Sequence, residues 1–373
     1  MTKLINSIKS VQNYIEEKKT CLRKKLPKFK RIMLGMKVSD GFVFKFAMYF
    51  LLIVIGFVFI YPLIYMFSTS MMSNIDLVDN TIRWIPSELH FDNYKFTYKA
   101  LNLPTWDTLL PQFGMISSDG FKLSYLLPNS LYMSIFIAGI STLCLAAASA
   151  VIGYGLARYN FPFKKVIIFL MIFTFIMPKT LFFIPTNQLY TEMDRILRPI
   201  LEGVGFTDPS IKKSLMPILL PALTGQGLQA AFFTLIFYQF FAMIPKPVEE
   251  AAIIDGAGAF KIFYKIALPM VAPAFIITFV YGFALYWNET FFLTVYSNGK
   301  YQSIPMLLEN LESTYGGIVF ESGGDASRAP DLSFTESKAF AGTLLSIVPL
   351  IFMYSIVQRW FVESIDKSGI TGE

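Results

Sequence analysis

An all-α membrane protein with six transmembrane helices is the predicted fold class, and three observations carry it. Hydrophobic residues make up 54% of the 373-residue chain, with 38 phenylalanines, while charged residues make up 16%, against about 25% in ordinary soluble domains. Apolar runs long enough to cross about 30 Å of hydrocarbon recur along it. Lys and Arg collect beside some of the connections and are replaced by acids in others, as the positive-inside rule requires of a multi-pass protein.

The first apolar run, 42–67, follows a tail at 1–41 in which Lys18, Lys19, Arg23, Lys24, Lys25, Lys28, Lys30 and Arg31 cluster. The tail is too long for a cleaved signal peptide and no small-residue cleavage site follows the run. It is expected to stay as the first transmembrane helix, with the basic cluster against anionic lipid on the cytoplasmic side. The remaining spans are predicted at 125–156, 164–188, 217–244, 268–294 and 337–361. Arg158, Lys164 and Lys165 crowd the second connection without an acid, whereas 296–336 holds Glu309, Glu312, Glu321, Asp325 and Asp331 against Lys300 and Arg328. Both termini are therefore expected in the cytoplasm, which an even number of spans permits.

The transmembrane domain then covers 42–361, with extracytoplasmic loops at 68–124, 189–216 and 296–336 and a cytoplasmic tail at 362–373. The first loop mixes Trp84, Pro86, Phe91, Asp92, Asn93 and Tyr94, more like an ordered small lobe than a linker. Cys21 and Cys144 form no disulfide framework. The basic tail lacks the interleaved stacking aromatics of single-strand binders, so no nucleic acid partner is expected. Enzyme motifs are absent too: the single histidine, His90, falls in an outer loop, and there is no metalloprotease or nucleophile-elbow pattern.

One polar segment interrupts the apolar runs, at 245–268. Pro245 and Pro247 close the fourth span and pre-set a new helix. Glu249 and Glu250 fall in its first turn, where the helix dipole favours negative charge. Val248, Ala251, Ala252 and Asp255 share a small-residue face, and Gly256 ends the helix. A second helix carries Ile262, Phe263 and Ile266 on one side, with Lys261 and Lys265 beside them.

At these residues the chain resembles the inner-membrane permeases of ATP-binding cassette importers, whose signature is Glu-Ala-Ala, a short gap, Gly, nine residues, Ile, one residue, Leu-Pro. Here Glu250-Ala251-Ala252 leads to Gly256, then Ile266 and Leu268-Pro269 at that spacing. Asp255-Gly256-Ala257, Asn129-Ser130, Gly155-Leu156-Ala157-Arg158-Tyr159, Trp287-Asn288 and Val357-Gln358-Arg359-Trp360-Phe361-Val362 make it similar to carbohydrate-uptake permeases, in particular the second, shorter subunit of the maltose-type pair. The resemblance covers most of 42–372 and leaves out the basic tail and parts of the outer loops.

What the resemblance implies is the type I importer permease fold in a bacterial cell membrane, with Glu249, Glu250, Ala251, Ala252, Asp255, Gly256 and Ala257 forming a segment that couples to an ATPase. It also implies a second permease as heterodimer partner, a cytoplasmic ATPase dimer and an extracytoplasmic solute-binding protein. ATP and magnesium are then used by the ATPase, and this chain, which has no Gly-rich phosphate loop, binds no cofactor. The cargo is expected to be a sugar, in particular an oligosaccharide. Asn187, Gln188, Tyr286, Trp287, Asn288 and Glu289 are the candidate substrate-pathway residues, because aromatic and amide side chains suit sugars and an intramembrane acid is a functional candidate. Another small polar solute is the alternative cargo. An ion-coupled secondary carrier is the rival class, and spans almost free of acids argue against it.

Overall fold

The computed structural model describes residues 42–79, 84–105, 129–203, 210–297, 299–314 and 335–370. The basic tail and most of the third outer loop lie outside the described residues. The chain divides into two compact units, Met1–Ser68 and Thr69–Glu373. In the first, helix α1 (Phe42–Ser70) is apolar all round, with Phe42, Phe46 and Phe50 stacked along one face at 6.5 and 6.4 Å.

Among the described residues, three helices are long and apolar enough to cross a membrane, and up to six spans result if each bent helix pair counts as one. The second unit is organised around one of the three, α4 (Ser130–Arg158). Many of its buried residues are small, Ser134, Ala138, Ser141, Ser149, Ala150 and Gly153 among them, beside the larger Met133, Ile137, Leu145 and Tyr154. Small residues let backbones approach closely, and in lipid that contact, not hydrophobic exclusion, holds helices together. Against α4 pack α7 (Met216–Leu223), α8 (Ala230–Met243) and α11 (Ala272–Trp287). A Cβ built on Gly153 would sit 2.7 Å from the Phe237 Cβ and 2.9 Å from the Tyr238 backbone nitrogen, so α4 and α8 touch nearly backbone to backbone. Gly282 of α11 faces the Thr142 side chain of α4, where a built Cβ would sit 3.0 Å from its methyl.

The start of α4 is tied to the Thr69–Thr105 region. Asn129 caps the helix through the Tyr132 N–H (3.3 Å), and the Ser130 hydroxyl donates to the Leu101 carbonyl. Within that region α2 (Asn74–Val78) has a capping box built by Ser73 and Asp76, and α3 (Asp92–Ala100) follows. The Asn93 amide donates to the Ser70 and Met72 carbonyls. Asp76 is 2% exposed. Burial pushes its carboxyl up, but hydrogen bonds from Ser87 and Ser73 outweigh this and hold it below the usual aspartate range. The Thr97 hydroxyl reaches the Lys338 carbonyl at the start of α14 (Glu336–Ile370), the helix that follows α13 (Ile304–Glu309).

Three predicted spans are not continuous. The third stops as α5 (Lys164–Ile176) where Pro178 follows, and α6 (Phe183–Gly203) carries helix through much of the stretch expected as outer loop. The fourth is cut between α7 and α8 by Thr224 to Gln229, with Gly225 at φ +76° and Gln229 at φ +53°. In the fifth, α10 (Ala259–Met270) bends 70° into α11 at Val271, and α11 stops at Trp287 before α12 (Phe291–Ser297). The breaks at Pro178-Lys179-Thr180, Thr224-Gly225-Gln226-Gly227 and Asn288-Glu289-Thr290 are short polar or turn-forming stretches, which hydropathy averaged over a span-length window merged into single runs.

Candidate functional site: a helical hairpin and a polar cavity

Past the far end of α4 the chain leaves α8 at Ile244 and turns 71° into α9 (Lys246–Ile254). Pro245, at φ −61° and ψ 130°, takes the cap position, and Pro247 fits the first turn because its missing N–H is not needed there. The last turn closes on a Schellman motif: the Ala257 N–H bonds the Ala252 carbonyl (2.9 Å) and the Gly256 N–H bonds the Ile253 carbonyl (3.0 Å). Gly256 adopts φ +75°, and a Cβ there would meet nothing within 4 Å. Glycine is needed for its backbone conformation, not for space, at about 1 kcal/mol.

The segment residues separate by direction. Val248, Glu250, Ala251, Asp255 and Gly256 are exposed, Ala257 is half-buried, and Ala252 is buried beneath the hairpin. Ala252 therefore leaves the exposed face it was expected to share with Val248, Ala251 and Asp255. Glu249 also turns inward, to an ion pair with Arg158 at 2.9 Å from Nε. Arg158 Nη2 donates to the Ile244 carbonyl (2.8 Å). Tyr154, one turn earlier, packs its ring on Phe241 (5.2 Å) and on Phe263 (4.9 Å) of α10. Outward, Ile254 is 85% and Phe260 80% exposed, with Ile253 and Tyr264 alongside. Apolar side chains on a polar connection mark a contact surface. A π-turn over Phe263–Ala267 widens α10 just before Leu268-Pro269, a deviation often found at functional sites.

The other candidate residues scatter. Tyr286 and Glu289 line a cavity of about 450 Å³ shared with Thr186, Tyr190, Gln226 and Tyr296. The Tyr286 hydroxyl accepts the Leu228 N–H (3.2 Å), so it holds the break between α7 and α8 open. A Cβ on Gly227 would collide with that hydroxyl. Glu289 accepts the Phe292 N–H (2.8 Å) and caps α12. Trp287 is 2% exposed in the core, stacked on Phe283 at 5.8 Å. Asn288 is exposed and bonds back to the Ala284 carbonyl. Asn187 is half-buried and Gln188 exposed on α6, neither lining the cavity. Sequence reasoning missed Tyr190, Gln226 and Tyr296, although the Gly225-Gln226-Gly227 cluster inside an apolar run was a visible signal of a break.

Among solved structures, the chain resembles one from a bacterial ABC transporter that imports the acidic polysaccharide alginate, with a TM-score of 0.58 and 19% identity over 86% of this chain and 96% of that one. In sequence it is 25% identical, over 85% of its length and 93% of the relative's, to an arabinooligosaccharide transport system permease of Halalkalibacterium halodurans. It is 24% identical, over 84% and 94%, to an sn-glycerol-3-phosphate transport system permease of Brucella abortus. Residues 149–367, from the middle of α4 through the hairpin to the end of α14, match the model of the binding-protein-dependent transport system inner membrane component. That stretch is more than half of the chain, and with the helical architecture it settles that this protein belongs to that family, a multi-pass membrane permease of ABC importers and not an enzyme.

Proposed function

We propose that this chain is one of two permease subunits through which an oligosaccharide enters the cytoplasm, driven by an ATPase dimer that grips the α9–α10 hairpin. The observation that carries it is the hairpin: a short helix, anchored inward by Glu249 and closed by Gly256, presents Ile254 to solvent, and α10 beside it presents Phe260 and Tyr264, between two apolar runs. Such a surface suits a cleft in a soluble partner. The distribution of Lys and Arg supports a cytoplasmic hairpin and cytoplasmic termini, and a solute-binding protein then docks from the opposite side of the membrane. ATP and magnesium belong to the ATPase.

Glu249, Glu250, Ala251, Ala252, Asp255, Gly256 and Ala257 form the coupling segment, the exposed ones by contact and Glu249 and Ala252 by fixing the helix. Tyr286 and Glu289 are the pathway candidates retained, because they share the cavity with Tyr190, Tyr296 and Gln226. Rings with a few polar groups suit stacking and hydrogen bonding of a sugar. Trp287, Asn288, Asn187 and Gln188 do not line the cavity.

The two relatives named above are permeases of arabinooligosaccharide and sn-glycerol-3-phosphate transport systems, and the two cargo classes are separable by uptake. In vesicles holding the complete transporter, digests of arabinan, galacturonan and chitin and sn-glycerol 3-phosphate are offered singly with Mg-ATP. One of the three digests is expected to be taken up and the phosphate ester refused. Uptake of the ester alone, with every digest refused, contradicts the oligosaccharide assignment.

A further inference from the structure

The ends of α4, α8 and α9 meet at one guanidinium. Arg158 is the last residue of α4, donates from Nη2 to the Ile244 carbonyl that terminates α8, and reaches Glu249 in the first turn of α9. Its side chain is 9% exposed and that of Glu249 16%. The rest of α9 has little hold on the bundle: Lys246, Pro247, Val248, Glu250, Ala251, Ile253 and Ile254 are exposed, and Ala252 supplies the other inward contact.

The two contacts of Arg158 differ in kind. The bond to Ile244 is directional. At Glu249 the Nε and Oε1 atoms are 2.9 Å apart but out of line for a hydrogen bond, leaving a buried charge contact without a fixed angle. Arg158 thus ties the 71° elbow between α8 and α9 to the end of α4 at two points, the Ile244 carbonyl and the Glu249 carboxylate. Tyr154, wedged against Phe241 and Phe263, keeps the end of α4 from slipping past the elbow.

We infer that Arg158 is a positioning residue for coupling, the strut through which displacement of α9 by the ATPase is carried into α4 and so into α7, α8 and α11. This rests on the reading of α9 as the ATPase-docking helix. Neutralising Arg158 leaves α9 exposed and available to the ATPase but disconnects it from the helix at the centre of the bundle.

The test uses the complete transporter in nanodiscs, with the polymer digest that most stimulates the unaltered complex as the sugar probe. Three quantities are read: ATPase retained on purification, ATP hydrolysis without binding protein, and stimulation by the loaded binding protein. Arg158→Gln is expected to keep the first two and lose about tenfold in the third, within the usual range of coupling between sites. Arg158→Lys keeps the charge but offers one nitrogen in place of a fork, and is expected to lose less. Should Arg158→Gln fail to accumulate, Arg158→Lys and Glu249→Gln decide the matter through the stimulated rate. Stimulation equal to the unaltered complex in these variants overturns the inference, as does loss of the ATPase in proportion to loss of stimulation, the mark of simple misfolding. Ile254→Asp in parallel tests the docking itself: full ATPase retention there defeats the docking reading whatever Arg158 does.

Discussion

Gly153→Leu is expected to prevent the permease from folding, and Gly153→Ala to destabilise it by about 1–3 kcal/mol, the usual cost of overpacking a tight interface. The reason is geometric. The added Cβ lands on the Phe237 Cβ and on the backbone nitrogen of Tyr238, and backbone cannot rotate aside as a side-chain tip can. Moving α8 away from α4 would also pull Phe237 and Phe241, both 0% exposed, out of the packing they share with Tyr154 and Phe275. Thermal unfolding in detergent, followed by fluorescence-detected size exclusion, reads the loss. Gly155, two residues on, has open space around its built Cβ, so Gly155→Ala is the matched control and is expected to behave as the unaltered protein.

The second large effect is expected at the hairpin surface. Ile254→Asp places a charge where an 85% exposed isoleucine would enter the ATPase cleft. Truncating or charging a central apolar anchor of an interface costs about 2 kcal/mol or more, which is roughly a thirtyfold loss of affinity. The isolated permease loses nothing, since the side chain touches solvent there. Co-purification of the ATPase is expected to fall sharply while the melting temperature of the permease stays unchanged. A melting temperature that falls with capture would show instead that Ile254 supports the fold.

The hairpin was legible because its information is local. Pro247, Glu249 and Gly256 each constrain the backbone within a few residues, and the spacing from Gly256 to Ile266 and Leu268-Pro269 survives in a single sequence. What Glu249 faces was not legible. Its partner Arg158 belongs to another helix, as does the Ile244 carbonyl 86 residues further along the chain, and periodicity cannot pair helices. The same limit moved Ala252 from the exposed face to the buried one. Trp287 shows the reverse error: an aromatic near a span end suggested the pathway, and the fold uses it as core beside Phe283.

The cavity was half legible. Tyr286 and Glu289 were chosen for chemistry, but Tyr190, Gln226 and Tyr296 come from three other segments that only the folded chain brings together. The break at Thr224 to Gln229 is the feature that creates this neighbourhood. Hydropathy averaged over a span-length window concealed it, because two short apolar helices sum to one long one.

On the proposed function, transport through this chain is powered from outside it, by a nucleotide-driven partner acting on α9. The most direct measurement is sugar uptake into vesicles in two preparations, the chain alone under an imposed proton or sodium gradient, and the chain with its second permease, ATPase and binding protein supplied with Mg-ATP. Uptake only in the second, abolished when ATP or binding protein is withheld, is the result expected. Uptake by the chain alone on an ion gradient would contradict it.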